Sequence, residues 1–218
     1  MPEMQDDQNT KSPQDQPGHF IGFYDRSMVL TYLGLIFAVL GIYMVLRGDM
    51  ASSVVCLMLA GGCDMFDGTI ARTCSWRSER EKKYGIQIDS LSDMTSFVIL
   101  PGAISIGLGN DDIISVAICV FYALAGMIRL GYFNVLASES EIKFYTGLPV
   151  PVIAIVIPIL WLISPHLDDF LTTIVFDATM TLLAVLFISN IRIKKPGKAF
   201  EIILEILGAI GIVLILLL

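Results

Sequence analysis

Residues 61–97, GGCDMFDGTIARTCSWRSEREKKYGIQIDSLSDMTSF, contain the end of one apolar segment, a short basic run and the start of the next apolar segment. On both sides of this stretch, the 218-residue chain alternates long apolar blocks with short polar runs. Hydrophobic residues make up 55% of the chain and charged residues 16%, whereas soluble domains average about 45–50% and 25%. We therefore predict one all-α, polytopic bundle of membrane helices, and exclude a soluble enzyme and a disordered chain.

Seven segments are apolar and have, or nearly have, the roughly 20 residues that a membrane-spanning helix needs. They are residues 28–46, 51–72, 86–108, 112–136, 148–164, 169–190 and 199–218. The fifth segment is short and contains three prolines, so we expect it to be kinked or tilted. Residues 1–22 begin with a polar run rich in Gln, Asp and Pro, and we expect a disordered tail there, followed by one membrane domain over residues 23–218.

Basic residues are distributed unevenly between the predicted loops. If the N-terminus lies inside, the inner loops carry nearly all Lys and Arg residues, whereas the outer loops carry Arg47 and a group of aspartates: Asp49, Asp111, Asp112, Asp168 and Asp169. Cytoplasmic loops favour Lys and Arg, so we expect the active surface to be cytoplasmic. The net charge of −7, without a basic stripe, excludes a nucleic acid partner.

Four aspartates lie at the inner ends of two consecutive predicted helices. Asp64 and Asp67 share one face of helix two, and Asp89 and Asp93 share one face of helix three. A short inner loop makes the two helices antiparallel neighbours, so the acidic faces can meet. Each ionised acid in an apolar helix costs about 2.5–3.5 kcal/mol, and Arg72 can offset only one of them. We predict a Mg²⁺ or Mn²⁺ site on these carboxylates; structural ion pairing or a proton or cation pathway is the alternative.

The aspartates belong to a longer pattern across both helices. It reads Asp64-x2-Asp67-Gly68-x2-Ala71-Arg72 and then Gly85-x3-Asp89-x3-Asp93. This pattern resembles the signature of the CDP-alcohol phosphatidyltransferases, although the loop between Arg72 and Gly85 is longer than most members have. The resemblance implies a membrane enzyme that transfers a phosphatidyl group from a CDP-linked lipid to an alcohol and releases CMP. It also implies a homodimer and a six-helix core, to which the last predicted helix is an addition.

The same resemblance assigns roles to individual residues. All four aspartates would bind one or two divalent ions, and Asp93 would also be the general base. The CDP-lipid would contact a set of small and polar residues: Thr31, Gly68, Ala71, Arg72 and Gly85. Thr31 lies near the start of predicted helix one, where the Asn that is usual in the phosphatidylserine synthase branch of the family is not evident. Gly68 and Ala71 would make room for the cytidine, and they equally suit a close helix contact.

Three other stretches resemble the phosphatidylserine synthase branch of this family. They are Asp89-Ser90-Leu91-Ser92-Asp93 with Ser96-Phe97 and Pro101, Arg129-Leu130 with Phe133-Asn134, and Gly147-Leu148-Pro149-Val150-Pro151. The branch implies transfer from CDP-diacylglycerol, whose tails would lie among the membrane lipids, to L-serine, giving phosphatidylserine and CMP. Tyr132 and Val98 depart from the branch pattern, and glycerol phosphate or inositol phosphate is the alternative acceptor.

The acceptor site is expected at the inner end of predicted helix four. The serine carboxylate needs a cation or clustered donors, and Arg129 is embedded in this helix near the inner surface. Arg129 would bind that carboxylate or a lipid phosphate, or else pair with an internal acid. Asn134, Thr146 and Lys143 lie toward the same surface and are the other candidates for binding serine or phosphate. A cation transporter, the alternative from another class, would place its acids near the midplane and show internal repeats, which the sequence lacks.

Overall fold

The computed structural model describes residues 22–24, 28–73, 78–139, 144–194 and 198–217. Seven helices follow one another along this part of the chain: α1 (Val29–Leu46), α2 (Met50–Thr73), α3 (Glu79–Gly107), α4 (Ile113–Glu139), α5 (Ile153–Ile163), α6 (Asp169–Ile188) and α7 (Lys198–Leu217). Short 3₁₀ turns flank α5, and two strands pair as an antiparallel ribbon, β1 (Phe144–Thr146) with β2 (Arg192–Lys194). The predicted N-terminal tail, residues 1–22, lies outside the described residues except for Gly22.

Within the described residues, five helical segments are long and apolar enough to cross a membrane. They are Val29–Leu46, Met50–Asp67, Glu79–Gly107, Ile113–Leu136 and Asp169–Ile188, and Val150–His166 is a shorter apolar segment. Large apolar side chains on the outside of the bundle are exposed, among them Ile36, Ile128 and Leu182. Such a surface suits lipid tails, which are as apolar as Leu. The helical, multi-pass character predicted from the composition is therefore confirmed.

Helix α3 begins at Glu79, so the predicted start at residue 86 is wrong. Ser78 and Glu81 form a capping box: Glu81 N–H donates to Ser78 Oγ at 3.3 Å, and Ser78 N–H donates to Glu81 Oε2 at 2.7 Å. The basic residues expected in a loop therefore lie on the first turns of α3: Arg80, Lys82 and Lys83. The Ser-x-x-Glu pattern is the sequence signal for this helix start.

Helix α1 packs closely against its neighbours through a row of small residues. The buried residues of α1 lie on one face: Thr31, Gly34, Ala38 and Gly41. A Cβ atom at Gly41 would lie 3.1 Å from the Cβ of Cys56 and 2.9 Å from the side chain of Leu100. Small residues let helix backbones approach each other in a membrane. This row therefore brings the first turn of α1 against α2 and α3.

Directly after Asp93, helix α3 changes into one π-helical turn, Met94–Ile99, before it returns to α-helix. Pro101 has no N–H to offer to the carbonyl four residues earlier, that of Phe97. The hydroxyl of Tyr122 on α4 donates to this carbonyl at 2.7 Å instead. Turns of this kind frequently accompany functional sites. Here the hydrogen bond fastens α4 to the part of α3 that follows the aspartates.

A separate polar cluster joins α4 to α6. The Ser115 hydroxyl lies 2.6 Å from Asp112 Oδ2 and 2.7 Å from Asp177 Oδ2. Hydrogen bonds from the Ser115 side chain and from the backbone N–H of Ile114 hold the pKa of Asp112 below its usual value. Asp177 therefore belongs to the α4–α6 contact and not to the acidic faces of α2 and α3.

The ribbon joins two connections that are far apart in the sequence. Tyr145 pairs with Ile193, and the N–H of Gly147 donates to Ile191 O at 2.8 Å. The ribbon places the α4–α5 and α6–α7 connections at the same end of the bundle. Hydropathy does not predict it, because strands of three residues are too short to show a pattern.

Gly147 occupies the point where the ribbon meets the end of α6. Its φ of +75° lies in the left-handed region, and a Cβ atom there would lie 2.5 Å from Phe187 O and 3.1 Å from Ser189 O. Only glycine adopts this conformation without strain. The close backbone approach therefore depends on the absence of a side chain.

Replacing Gly147 by Ala is expected to destabilise the protein by more than the about 1–2 kcal/mol that a left-handed conformation costs, because the added methyl group also meets backbone atoms. The measurement is the midpoint of thermal unfolding in detergent. Gly131→Ala is the matched control: it lies inside α4, where an added Cβ meets nothing within 4 Å, and should be neutral or slightly stabilising. Equal midpoints for the two variants would contradict the role of Gly147.

Candidate functional site

Four aspartates from α2 and α3 meet beside the first turn of α1. Asp64 and Asp67 lie one turn apart toward the end of α2, and Asp89 and Asp93 lie one turn apart on α3. Carboxylate oxygens of Asp64, Asp89 and Asp93, one from each, lie within 4.8 Å of one another. Because the connection between α2 and α3 is short, the helices are antiparallel and the two pairs come to the same depth.

The spacing of these three oxygens suits a single divalent ion. Hard cations such as Mg²⁺ and Ca²⁺ bind oxygen at about 2.0–2.6 Å, so ligands on opposite sides of one ion are about 4–5 Å apart. Carboxylates are also the ligands that Mg²⁺ and Mn²⁺ prefer. The cluster of Asp64, Asp89 and Asp93, called here the aspartate triad, is thus able to hold a divalent metal.

The triad lies in a small cavity of about 10 Å³, close to the volume that one water-sized particle needs. Besides the four aspartates, its wall consists of apolar and hydroxyl-bearing residues: Leu30, Thr31, Gly34, Ala60, Ser92, Ser96 and Phe97. Asp67 and Asp93 expose only 7% and 9% of their surface. Ionised carboxylates in such a place lose hydration and repel one another. No Lys, Arg or His is among the described residues of the wall, so a bound cation would relieve both costs.

Asp67 stands beside the triad and contacts α1. The Thr31 hydroxyl donates to Asp67 Oδ2 at 2.8 Å, and the side chains of Asp67 and Asp89 also contact each other. From α3, the Ser92 hydroxyl donates to the backbone oxygen of Thr31 at 3.2 Å. Thr31, expected to contact a CDP-lipid, therefore directs its hydroxyl to an aspartate.

The remaining residues of the signature lie on the same two helices. Gly85 is half-buried on α3, one turn before Asp89. Gly68, Ala71 and Arg72 lie on the last turns of α2, which runs to Thr73, but their side chains are outside the part that the structure describes. Contacts of these four residues with a CDP-lipid stay predictions.

Asn134, one of the predicted acceptor residues, contacts the helix that carries Asp89 and Asp93. Its Oδ1 accepts a hydrogen bond from Ser90 Oγ at 2.6 Å, and its Nδ2 donates to Gln87 Oε1 at 3.4 Å. Ser90 follows Asp89 in the chain. Asn134 therefore links α4 to the turn of α3 that carries one member of the triad.

The structure describes two of the other three predicted acceptor residues. Arg129 is buried on α4, with its guanidinium carbon 5.4 Å from the centroid of the Phe133 ring. Thr146 is on β1, opposite Arg192, and Lys143 lies outside the described residues. Neither Arg129 nor Thr146 is among the described residues that line the triad cavity.

Two serines in the cavity wall were not among the predicted site residues. Ser92 and Ser96 lie at helical spacing from Asp89 and Asp93, so all four share one stripe of α3. This period is the signal that could have identified them. Ser90, in contrast, faces α4, and its contact with Asn134 requires the packing of two helices that the sequence does not specify.

Similarity to known proteins covers the helices that form this site. The sequence model of the CDP-alcohol phosphatidyltransferase family matches residues 27–190. The chain is 30% identical over 158 residues to a CDP-diacylglycerol–serine O-phosphatidyltransferase of Helicobacter pylori, which covers 67% of this chain and 65% of that protein. It is 31% identical over 157 residues to an archaetidylserine synthase of Methanothermobacter thermautotrophicus, which covers 72% of this chain and 64% of that protein.

A third relative is a CDP-diacylglycerol–serine O-phosphatidyltransferase of Bacillus subtilis, 28% identical over 125 residues, which cover 56% of this chain and 67% of that protein. The match spans just under two thirds of the length of the Helicobacter and Methanothermobacter proteins. The family match extends from α1 to α6 and includes the aspartate triad and Asp67. The chain belongs to the CDP-alcohol phosphatidyltransferase family.

Proposed function

We propose that this chain transfers the phosphatidyl group from CDP-diacylglycerol to L-serine, giving phosphatidylserine and CMP. The observation that carries the proposal is the aspartate triad, with three carboxylate oxygens within 4.8 Å of one another in a cavity of about 10 Å³. Membership of the family supports CDP-diacylglycerol as the donor. Relatives named as a serine O-phosphatidyltransferase and an archaetidylserine synthase support serine as the acceptor.

The residues that would hold Mg²⁺ or Mn²⁺ are Asp64, Asp89 and Asp93, with Asp67 beside them. When bound, a divalent ion supplies positive charge that offsets the diphosphate and the departing CMP. Leu30 and Phe97 form part of the wall beside the carboxylates, and these apolar side chains would limit the access of water to them. Exclusion of water strengthens the electrostatic interactions of the carboxylates with whatever they bind.

Asp93 is proposed as the general base. Its carboxylate would accept the hydroxyl proton of serine as the serine oxygen forms a bond to the β-phosphorus and the bond to CMP breaks. No His, Lys or Cys is among the described residues of the cavity wall, so the hydroxyl groups there have no His or Lys beside them to activate a nucleophile. We therefore propose one direct displacement without a covalent enzyme intermediate.

Binding of the two substrates is proposed for the residues that the sequence singled out. The CDP-lipid set is Thr31, Gly68, Ala71, Arg72 and Gly85, and the acceptor set is Arg129, Asn134, Thr146 and Lys143. Support for Asn134 is its contact with Ser90, beside Asp89. Arg129 would supply the cation for the serine carboxylate or a lipid phosphate.

We further propose seven membrane crossings, six from α1–α6 and one from α7, with the aspartates on the cytoplasmic side and two chains in a homodimer. The ribbon supports this orientation because it places the α4–α5 and α6–α7 connections at one end. Strand β2 begins and ends with basic residues, Arg192 and Lys194. The connections at the opposite end carry Asp112 and Asp168. Lys and Arg favour the cytoplasmic side.

The test offers CDP-diacylglycerol to the purified protein with L-serine, glycerol phosphate or inositol phosphate in separate reactions, and measures CMP and the lipid product. We expect CMP and phosphatidylserine with serine. CMP release with only one of the other acceptors would support the transferase chemistry and contradict serine as the acceptor. Cation movement into vesicles, with no CMP released in the presence of any acceptor, would favour a transporter and overturn the proposed enzymatic activity.

A further inference from the structure

We propose that Thr31 is a positioning residue that orients Asp67 relative to the aspartate triad. The inference rests on the proposed function, in which these aspartates bind a divalent ion. Thr31 is on the first turn of α1, whereas the aspartates are on α2 and α3. Helix α1 contributes no acid to the cavity, yet Thr31 is part of the cavity wall.

Thr31 contacts both acidic helices at once. Its side chain donates to Asp67 Oδ2 at 2.8 Å on α2. Its backbone oxygen accepts from Ser92 Oγ at 3.2 Å on α3. Thr31, Asp67 and Ser92 are all buried, so neither hydrogen bond competes with bulk water. One turn of α1 thus connects the two pairs of aspartates.

In the hydrogen bond between Thr31 and Asp67, the Thr31 hydroxyl is the donor and the Asp67 carboxylate is the acceptor. A hydroxyl has one proton to donate, and here it points at a carboxylate oxygen. The bond restricts rotation of the Asp67 carboxylate. The triad has its oxygens within 4.8 Å without Asp67, and Asp67 is held at its edge, in contact with Asp89. Thr31 therefore determines how the fourth carboxylate faces the ion site.

Thr31→Val removes the hydroxyl and keeps the shape of the side chain. Loss of a partner that orients a metal-binding group typically lowers metal affinity about 10–100-fold, and we expect a change of this size in Mn²⁺ affinity. The measurement titrates the full-length protein in detergent with Mn²⁺ and follows free Mn²⁺ by electron paramagnetic resonance. Thr31→Ser keeps the hydroxyl and should bind Mn²⁺ as the native protein does.

A double-mutant cycle separates positioning from a general effect on the fold. If Thr31 acts through Asp67, Thr31→Val weakens Mn²⁺ binding much less in an Asp67→Asn background than in the native chain. Equal losses in both backgrounds would overturn the proposal. If Thr31→Val does not fold, Thr31→Ser and Thr31→Ala give the same comparison, because they differ only by the hydroxyl group.

The result for the native protein distinguishes this inference from the proposed function. Native protein that binds no Mn²⁺ would overturn the metal site and, with it, the proposed function. Native protein that binds Mn²⁺, together with unchanged affinity in Thr31→Val, would overturn only the positioning role. An equal loss of affinity in Thr31→Ser and Thr31→Val would also overturn it, since the hydroxyl would then not be the group that matters.

Discussion

Replacement of Asp93 by Asn is expected to lower the rate of CMP release by about 10²–10⁴-fold, while CDP-diacylglycerol still binds in the presence of Mn²⁺ or Mg²⁺. Asn has the size of Asp and offers one oxygen to a metal, but it does not accept a proton at neutral pH. The substitution should therefore slow the chemical step more than it weakens the binding of CDP-diacylglycerol. CMP release and binding of the nucleotide lipid are measured on the same preparations.

Two other substitutions of the same kind complete this test. Asp67→Asn should weaken metal and CDP-lipid binding together, because a charge beside the diphosphate is lost. Asp177→Asn changes a membrane acid that contacts Ser115 at the α4–α6 contact, and should leave CMP release close to the native rate. Near-native turnover in Asp93→Asn would remove its role as base. An equal loss of binding in Asp93→Asn and Asp67→Asn would reduce Asp93 to a metal ligand.

Removal of divalent ions by a chelator is expected to abolish CMP release, and added Mn²⁺ or Mg²⁺ should restore it. The three triad oxygens lie within 4.8 Å of one another, and the described wall of their cavity contains no cationic side chain. Without an ion, the carboxylates would repel both one another and the diphosphate. Substrate binding and transfer should therefore fail together.

Thermal stability provides a second readout of ion binding, independent of turnover. An ion that binds only the folded protein raises the free energy of unfolding, by about 2.7 kcal/mol at a concentration 100 times its Kd. Added Mn²⁺ should therefore raise the unfolding midpoint of the native protein and of Asp177→Asn. The rise for Asp64→Asn should be much smaller. Full activity in excess chelator would rule out a divalent ion bound to the aspartate triad. An equal rise of the unfolding midpoint in all three proteins would rule it out as well.

Hydropathy predicts the membrane helices because each is a long apolar run whose length matches the bilayer. The predicted segments 28–46, 51–72 and 169–190 agree with α1, α2 and α6 to within two residues at each end. The start of α3 differs, because a capping box begins the helix inside the polar run, where hydropathy shows no signal. The ribbon depends on pairing between residues 144–146 and 192–194, which only the folded chain brings together.

The amino-acid sequence alone predicts that Asp64 and Asp67 share one helix face, that Asp89 and Asp93 share another, and that both pairs lie at one depth. Helical periodicity and a short connection are sufficient for this. They do not set how far two helices stand apart or how each is rotated toward its neighbour. Those quantities follow from packing, such as the close approach that Gly41 allows between α1 and its neighbours.

The polar groups that meet within the cavity are identified by the packing of the helices in three dimensions. This packing brings the oxygens of Asp64, Asp89 and Asp93 together and brings Asp67 into contact with Thr31. Thr31 is 36 residues from Asp67 in the chain, and no local pattern connects them. The contact exists because α1 packs along α2 and α3, and a hydrogen bond of 2.8 Å requires the final positions of both helices.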